Sequence, residues 1–200
     1  MTERAAAVQA RASAKLRAAG VASPQADART LLMHATGLSA TELLTAGDVD
    51  ESALARYEQS GAERCAGTPV QHLTGRGWFR NGELAVGAGV FVPRPETELV
   101  AGAAIEAARS TTSPLVVELC AGSGAISAAL ADEVPGVRLF AVEVDATAVR
   151  WLRGNLIGTG AVVVEADMAD SLTELDGQVD VVVANPPYID RADRDALPAE

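Results

Sequence analysis

Leu115-Val116-Val117-Glu118-Leu119-Cys120-Ala121-Gly122-Ser123-Gly124 is the stretch that decides the fold. Five largely apolar residues are followed by a turn with two glycines, and Ala125–Ala131 then reads as a helix. A buried apolar strand running through a glycine-rich turn into a helix opens a parallel sheet with helices on its faces. The pattern continues downstream. Val137–Val142 reads as a second strand, 146–157 as a helix, Ala161–Glu165 as a third strand and Val179–Ala184 as a fourth. The expected class is α/β, doubly wound and Rossmann-like.

Upstream, residues 3–19 read as a helix closed by Gly20, and Ser23-Pro24 offers an N-cap and a proline at the first position of another that stops at Gly37. Ser39-Ala40-Thr41-Glu42 has the capping-box spacing, and Asp50 caps a last helix running to about Ala66. Residues 1–66 are therefore expected to form a small helical domain. In 67–96, β-formers broken by glycines predict a hairpin linker that includes Pro69–Gly75, with Asn81-Gly82 as its turn. Thr97 then starts a helix to about Arg109, within a domain spanning 97–200.

Composition narrows the setting. The net charge is −11, of which residues 1–66 carry about −1 and 67–200 the rest. A protein that grips nucleic acid through phosphates would carry a basic footprint, so no direct nucleic-acid binding is expected. The local excess of Arg4, Arg11, Lys15 and Arg17 reads first as a solvated helix face. No apolar run approaches membrane-spanning length, and the charged opening is unlike a signal peptide. Cys65 and Cys120 lie far apart without metal-ligand spacing. A cytoplasmic protein with no metal and no disulfide is the expectation.

The candidate chemistry lies at the strand ends. The turn Cys120, Ala121, Gly122, Ser123, Gly124 lets a ligand approach the backbone. Nineteen residues beyond Gly124, Glu143 ends the second strand, where a carboxylate accepts hydrogen bonds from the hydroxyls of an adenosine ribose. Both features also suit a dinucleotide-binding oxidoreductase. The fourth strand separates the two readings, because it runs into Asn185-Pro186-Pro187-Tyr188. An amide or aryl NH2 is a poor nucleophile, its lone pair being delocalised. The Asn185 side-chain oxygen and the Pro186 carbonyl can accept its N–H bonds and aim the lone pair at a methyl donor. The prolines stiffen the loop, and Tyr188 offers a flat face.

The glycine turn, strand-end acid and Asn-Pro-Pro-Tyr together resemble the nitrogen-methylating class that includes adenine-N6 DNA methyltransferases. Pro69-Val70-Gln71-His72-Leu73-Thr74-Gly75 and Phe91-Val92-Pro93-Arg94-Pro95-Glu96-Thr97-Glu98 narrow it: they resemble the hallmark stretches of the HemK/PrmC family, the release-factor glutamine N5-methyltransferases. That resemblance implies a helical domain, a hairpin linker and a methyltransferase domain that uses S-adenosyl-L-methionine and yields S-adenosyl-L-homocysteine. The implied partners are peptide chain release factors, methylated on the glutamine of a Gly-Gly-Gln loop. It also implies that Cys120 to Gly124, Glu143, Asp167, Met168 and Asn185 contact the cofactor, with Asn185, Pro186, Pro187 and Tyr188 clamping the substrate. The sequence departs from the family at three positions: Cys120 stands where glycine is usual, Glu143 where Asp is frequent, and Met168 where an aromatic is common. The family's sheet also continues past a fourth strand, so a domain incomplete after Val179–Ala184 is expected. Two other readings stay open: an adenine-N6 methyltransferase, and a fragment that binds cofactor or partner without turnover.

Overall fold

The computed structural model describes residues 3–187. The chain divides into two compact units, one ending at Gly75 and the other beginning at Arg76. This boundary lies nine residues beyond the one read from the sequence.

The first unit contains β1 (Glu3–Arg4), α1 (Ala5–Ala18), α2 (Pro24–Thr36), α3 (Ala40–Thr45), β2 (Asp48–Val49), α4 (Glu51–Cys65) and α5 (Val70–Thr74). Its core is built from Val8, Leu31, Leu32, Val49, Ala53 and Tyr57. The Tyr57 hydroxyl donates to the Ala28 carbonyl at 3.1 Å, which pays for burying the phenol. Arg64 and Asp27, both largely buried, pair at 2.8 Å and tie α4 to α2. The expected caps form: Ser39 and Glu42 complete a capping box, and Asp50 accepts the Ala53 N–H at 2.8 Å.

Two expectations fail here. Residues 3 and 4 are not the start of α1 but pair antiparallel with Val49 and Asp48. Pro69–Gly75 is not a strand; it is the single-turn helix α5, entered after Pro69 and closed by Gly75 at φ 73°. Val70 and Leu73, three apart and so on one helical face, pack against the core of this unit. That burial outweighs the β-preference of Val and Thr.

The second unit opens with the hairpin β3 (Arg76–Phe79) and β4 (Gly82–Ala85). Phe79 pairs with Gly82, so the turn residues are Arg80 and Asn81 rather than Asn81 and Gly82. Arg80 takes a positive φ of 49° and is held there from two sides. Its backbone N–H donates to Glu98 at 3.0 Å, and its guanidinium donates to both Glu133 oxygens at 2.5 and 2.8 Å. The remainder of the unit is α6 (Thr97–Ala108), β5 (Leu115–Leu119), α7 (Ala125–Glu133), β6 (Arg138–Glu143), α8 (Ala146–Asn155), β7 (Val162–Glu165), a 3-10 turn (Thr173–Leu175) and β8 (Val181–Ala184).

The four strands β5 to β8 are parallel, in the order β7-β6-β5-β8. Val116, Ile126, Leu130, Leu139 and Val183 share one core with Ala101 and Ile105 of α6. The architecture is the expected α/β one: a Rossmann-like parallel sheet in the second unit and a helical first unit. Among the described residues β8 is an edge strand, and Val182 is 60% exposed. No helix among the described residues is long and apolar enough to cross a membrane.

Candidate functional site

Strand order determines where a ligand can bind. From β5 the chain steps outward to β6 and β7, then returns to the other side of β5 as β8. In a sheet of this kind ligands bind at the carboxyl ends of the strands where the order reverses, here the ends of β5 and β8. Leu119 of β5 pairs with Ala184 of β8. Cys120 and Asn185 are the next residues of two neighbouring parallel strands, although 65 positions separate them in the sequence.

The loop after β5 is a tight left-handed turn, with Cys120 at φ 55°, Gly122 at φ 55° and Gly124 at φ 82°. Cys120 thus adopts a conformation more comfortable for glycine. Its thiol pKa is pushed up by burial and by the surrounding carboxylates of Glu143, Asp167 and Glu118. Glycine at 124 has a steric reason too: a Cβ there would come within 2.6 Å of Leu152.

Gly124 precedes α7 and has no side chain with which to cap it. Glu118 performs that task from inside the sheet, accepting the Ser127 N–H at 2.8 Å and a short bond from the Ser127 hydroxyl. A carboxylate at a helix N-terminus is well placed electrostatically. Yet Glu118 is only 2% exposed, and burial pushes its pKa up to about 7.

Glu143 ends β6 beside this turn. One of its oxygens accepts the Gly122 N–H at 2.8 Å; the other accepts the Val144 and Asp145 N–H groups, both at 2.9 Å. These bonds lock the carboxylate against the glycine turn. Val144, next in sequence, is 63% exposed, and Met168 is 50% exposed. Met168 lies against the same turn, with its sulfur 3.6 Å from that of Cys120. Asp167 is exposed and accepts the Ala169 N–H at 2.9 Å within its own turn.

Asn185 and Pro186 are half-buried and Pro187 is exposed. The Asn185 Nδ2 donates to the Thr97 hydroxyl at 3.2 Å, at the start of α6. Tyr188 lies outside the described residues.

Two participants were not legible in the motifs. Val144 follows the strand-end acid as an exposed apolar side chain. Asn155, at the end of α8, exchanges two bonds with the Ala85 backbone at 2.8 and 2.9 Å and donates to the Ser123 carbonyl at 2.9 Å. It joins the end of the hairpin to the glycine turn. The segment after β4 lies directly on α8: a Cβ at Gly87 would come within 2.6 Å of Trp151, and one at Gly89 within 2.5 Å of Thr147.

Residues 7–75 match the PrmC N-terminal domain, and residues 83–197 match the methyltransferase small domain. A release factor glutamine methyltransferase of Bifidobacterium longum is 38% identical, with 91% of this chain aligned to 68% of that protein. The chain belongs to the release factor glutamine methyltransferase family. The Streptomyces coelicolor member is 49% identical, over 90% of this chain and 64% of its own length. A 4-amino-L-phenylalanine/4-methylamino-L-phenylalanine methyltransferase of Streptomyces pristinaespiralis is 40% identical, over 89% of this chain and 63% of its own. The chain therefore spans about 64% of the length of the Streptomyces coelicolor relative.

Proposed function

We propose that this chain carries the cofactor and substrate sites of an S-adenosylmethionine-dependent methyltransferase. Its acceptor is the side-chain nitrogen of the glutamine in the Gly-Gly-Gln loop of peptide chain release factors. The observation that carries this reading is the adjacency of two loops: Asn185-Pro186-Pro187 leaves β8 beside the glycine turn leaving β5.

The donor set suits an adenosine-bearing cofactor. Glu143 is oriented by three backbone N–H groups and keeps a lone-pair site, on the oxygen that accepts the Gly122 N–H, for a ribose hydroxyl. Val144 and Met168 supply exposed apolar surface for a purine, Met168 without the stacking an aromatic would give. Cys120 to Gly124 bring backbone close enough to line the remainder, and Asp167 borders it. When bound, S-adenosylmethionine supplies an electrophilic methyl group.

The chain's own residues supply position. Asn185 Oδ1 and the Pro186 carbonyl accept the two N–H bonds of the substrate amide and turn its lone pair toward the methyl donor. Pro186 and Pro187 restrict the backbone that presents them. Tyr188 supplies a flat face for the amide plane. An N-alkylated amide nitrogen bearing an extra proton is a strong acid, so water suffices to take that proton. The first unit, which holds none of the strand-end motifs, recognises the release factor.

A second reading is favoured by the Streptomyces pristinaespiralis relative, whose name assigns it an arylamine substrate. An aryl NH2 is planar in the same sense and meets the same clamp. The experiment is single-turnover methylation with labelled methyl donor, offered a release factor, 4-aminophenylalanine or an adenine-containing DNA duplex. Transfer to the release-factor glutamine is expected, and preferential labelling of either alternative overturns the assignment. Asn185→Ala is expected to slow transfer by about 2–4 kcal/mol of barrier, as for loss of one preorganised hydrogen-bonding group. Asn185→Asp, which keeps an acceptor, is expected to be milder. Unimpaired transfer by folded Asn185→Ala would refute the clamp.

A further inference from the structure

Phe91–Glu98 is prominent in the sequence, yet the clamp and the cofactor site leave it without a role. One bond joins it to the loop after β8: Asn185 Nδ2 donates to Thr97 Oγ1 at 3.2 Å. We propose that Thr97 is a positioning residue for Asn185: it fixes the plane of the Asn185 amide and turns the carbonyl end toward the substrate nitrogen. This rests on the clamp reading given above.

The argument begins with the freedom of an asparagine side chain. The terminal torsion of Asn is broad and shallow, so backbone restraint from Pro186 does not by itself orient the amide. A fixed partner on one edge does. Thr97 is well suited to be that partner, because its branched Cβ restricts the hydroxyl to few positions. Its backbone is equally restrained. Pro93 and Pro95 stiffen the approach, and the Thr97 N–H donates to the Arg94 carbonyl at 3.0 Å. The next residue anchors the same helical turn elsewhere, Glu98 accepting the Arg80 N–H at 3.0 Å. The first turn of α6 is thus held on one side by the hairpin and offers an oxygen to β8's loop on the other.

The bond also has an electronic effect. Donation from Nδ2 to a hydroxyl oxygen polarises the Asn185 amide and strengthens Oδ1 as an acceptor. Oδ1 and Nδ2 lie on opposite edges of one plane, so holding Nδ2 on Thr97 directs Oδ1 away from α6. The Pro-Arg-Pro-Glu segment then acts by delivering Thr97 to a set position.

The test uses Thr97→Val, which keeps the shape and removes the oxygen, and Thr97→Ser, which keeps the oxygen. Two readouts are needed, one independent of substrate. In the full chain labelled with nitrogen-15 asparagine, the Asn185 side-chain NH2 is assigned by its loss in Asn185→Ala. Thr97→Val is expected to shift that resonance pair and to speed its hydrogen exchange at least tenfold, while Thr97→Ser leaves it near the parent. In single-turnover methylation, Thr97→Val is expected to lower the rate 10- to 30-fold, with S-adenosylhomocysteine affinity and substrate KM within twofold of the parent. Thr97→Ser is expected to restore the rate to within threefold.

An unmoved Asn185 NH2 resonance in folded Thr97→Val overturns the proposal. So does an unchanged methylation rate, or an equal fall in cofactor affinity, which would mark a merely structural residue. If the parent methylates none of the three substrates, the functional reading fails instead, and the resonance data still decide whether Thr97 holds Asn185.

Discussion

Glu118 provides a demanding test of the site's electrostatics. Its carboxyl lies in the central strand β5, between Ala141 of β6 and Val183 of β8. Two bonds from Ser127 favour its ionised form, but burial, with the nearby Glu143 carboxylate, raises its pKa from an ordinary 4.5 to about 7. The unfolded carboxyl releases its proton near 4.5, whereas the folded one retains it to near 7. The contribution of this site to stability is therefore fully present below pH 4.5 and is lost as pH rises through 7. At about 1.4 kcal/mol per pKa unit, the loss is roughly 3 kcal/mol. Glu118→Gln keeps an acceptor for Ser127 and abolishes the titration. Trp78 and Trp151 both belong to the second unit, so tryptophan fluorescence in urea follows the unit that contains Glu118. Between pH 5 and pH 8.5 the stability of Glu118→Gln relative to the parent is expected to rise by roughly 2–3 kcal/mol. Subtracting the parent at each pH cancels the other titrating groups, including the Glu133 and Asp145 carboxylates, whose bonds in the fold hold them below their ordinary values. A difference that stays flat with pH would mean that Glu118 titrates as an ordinary carboxyl. The buried-acid argument would then be wrong.

Glu143→Ala removes the carboxylate proposed as the ribose acceptor and frees the Gly122 N–H; S-adenosylhomocysteine affinity measured by calorimetry is expected to fall by about 1–3 kcal/mol. Asn155→Ala breaks three bonds between α8, the hairpin and the glycine turn, and the urea transition of the second unit is expected to lose about 1–3 kcal/mol. Deleting residues 1–75 is expected to spare cofactor binding and to impair methylation of an intact release factor; unchanged release-factor kinetics would assign the first unit a structural role only.

Much of this architecture was legible because its signals are local. Strands buried on both faces announce themselves as apolar runs, and Ser39, Asp50 and Gly37 mark helix ends through bonds to residues three or four positions away. The failures share a cause. Val70–Thr74 has strand-like composition, and only the seating of Val70 and Leu73 in a core assembled from distant helices makes it helical. The Glu3–Arg4 ladder joins residues more than forty positions apart, with no pattern to announce it. Arg80 in the hairpin turn owes its positive φ to Glu98 and Glu133, which lie on other elements.

The same division runs through the site. The sequence by itself determined which chemistry is available: a glycine turn after the first sheet strand, an acid at the end of the second, and Asn-Pro-Pro after the fourth. Each depends on a residue type and its place along its own strand. Only the tertiary structure decided that the first and fourth strands are neighbours, bringing Cys120 and Asn185 to adjacent strand ends. It alone assigned partners to Glu118, Asn155 and Thr97. Read singly, these are a strand acid, a helix-end amide and a helix-start hydroxyl. The physical reason is that hydrogen bonds of about 3 Å between residues 9, 32, 70 and 88 positions apart depend on how elements pack, and no local periodicity encodes that.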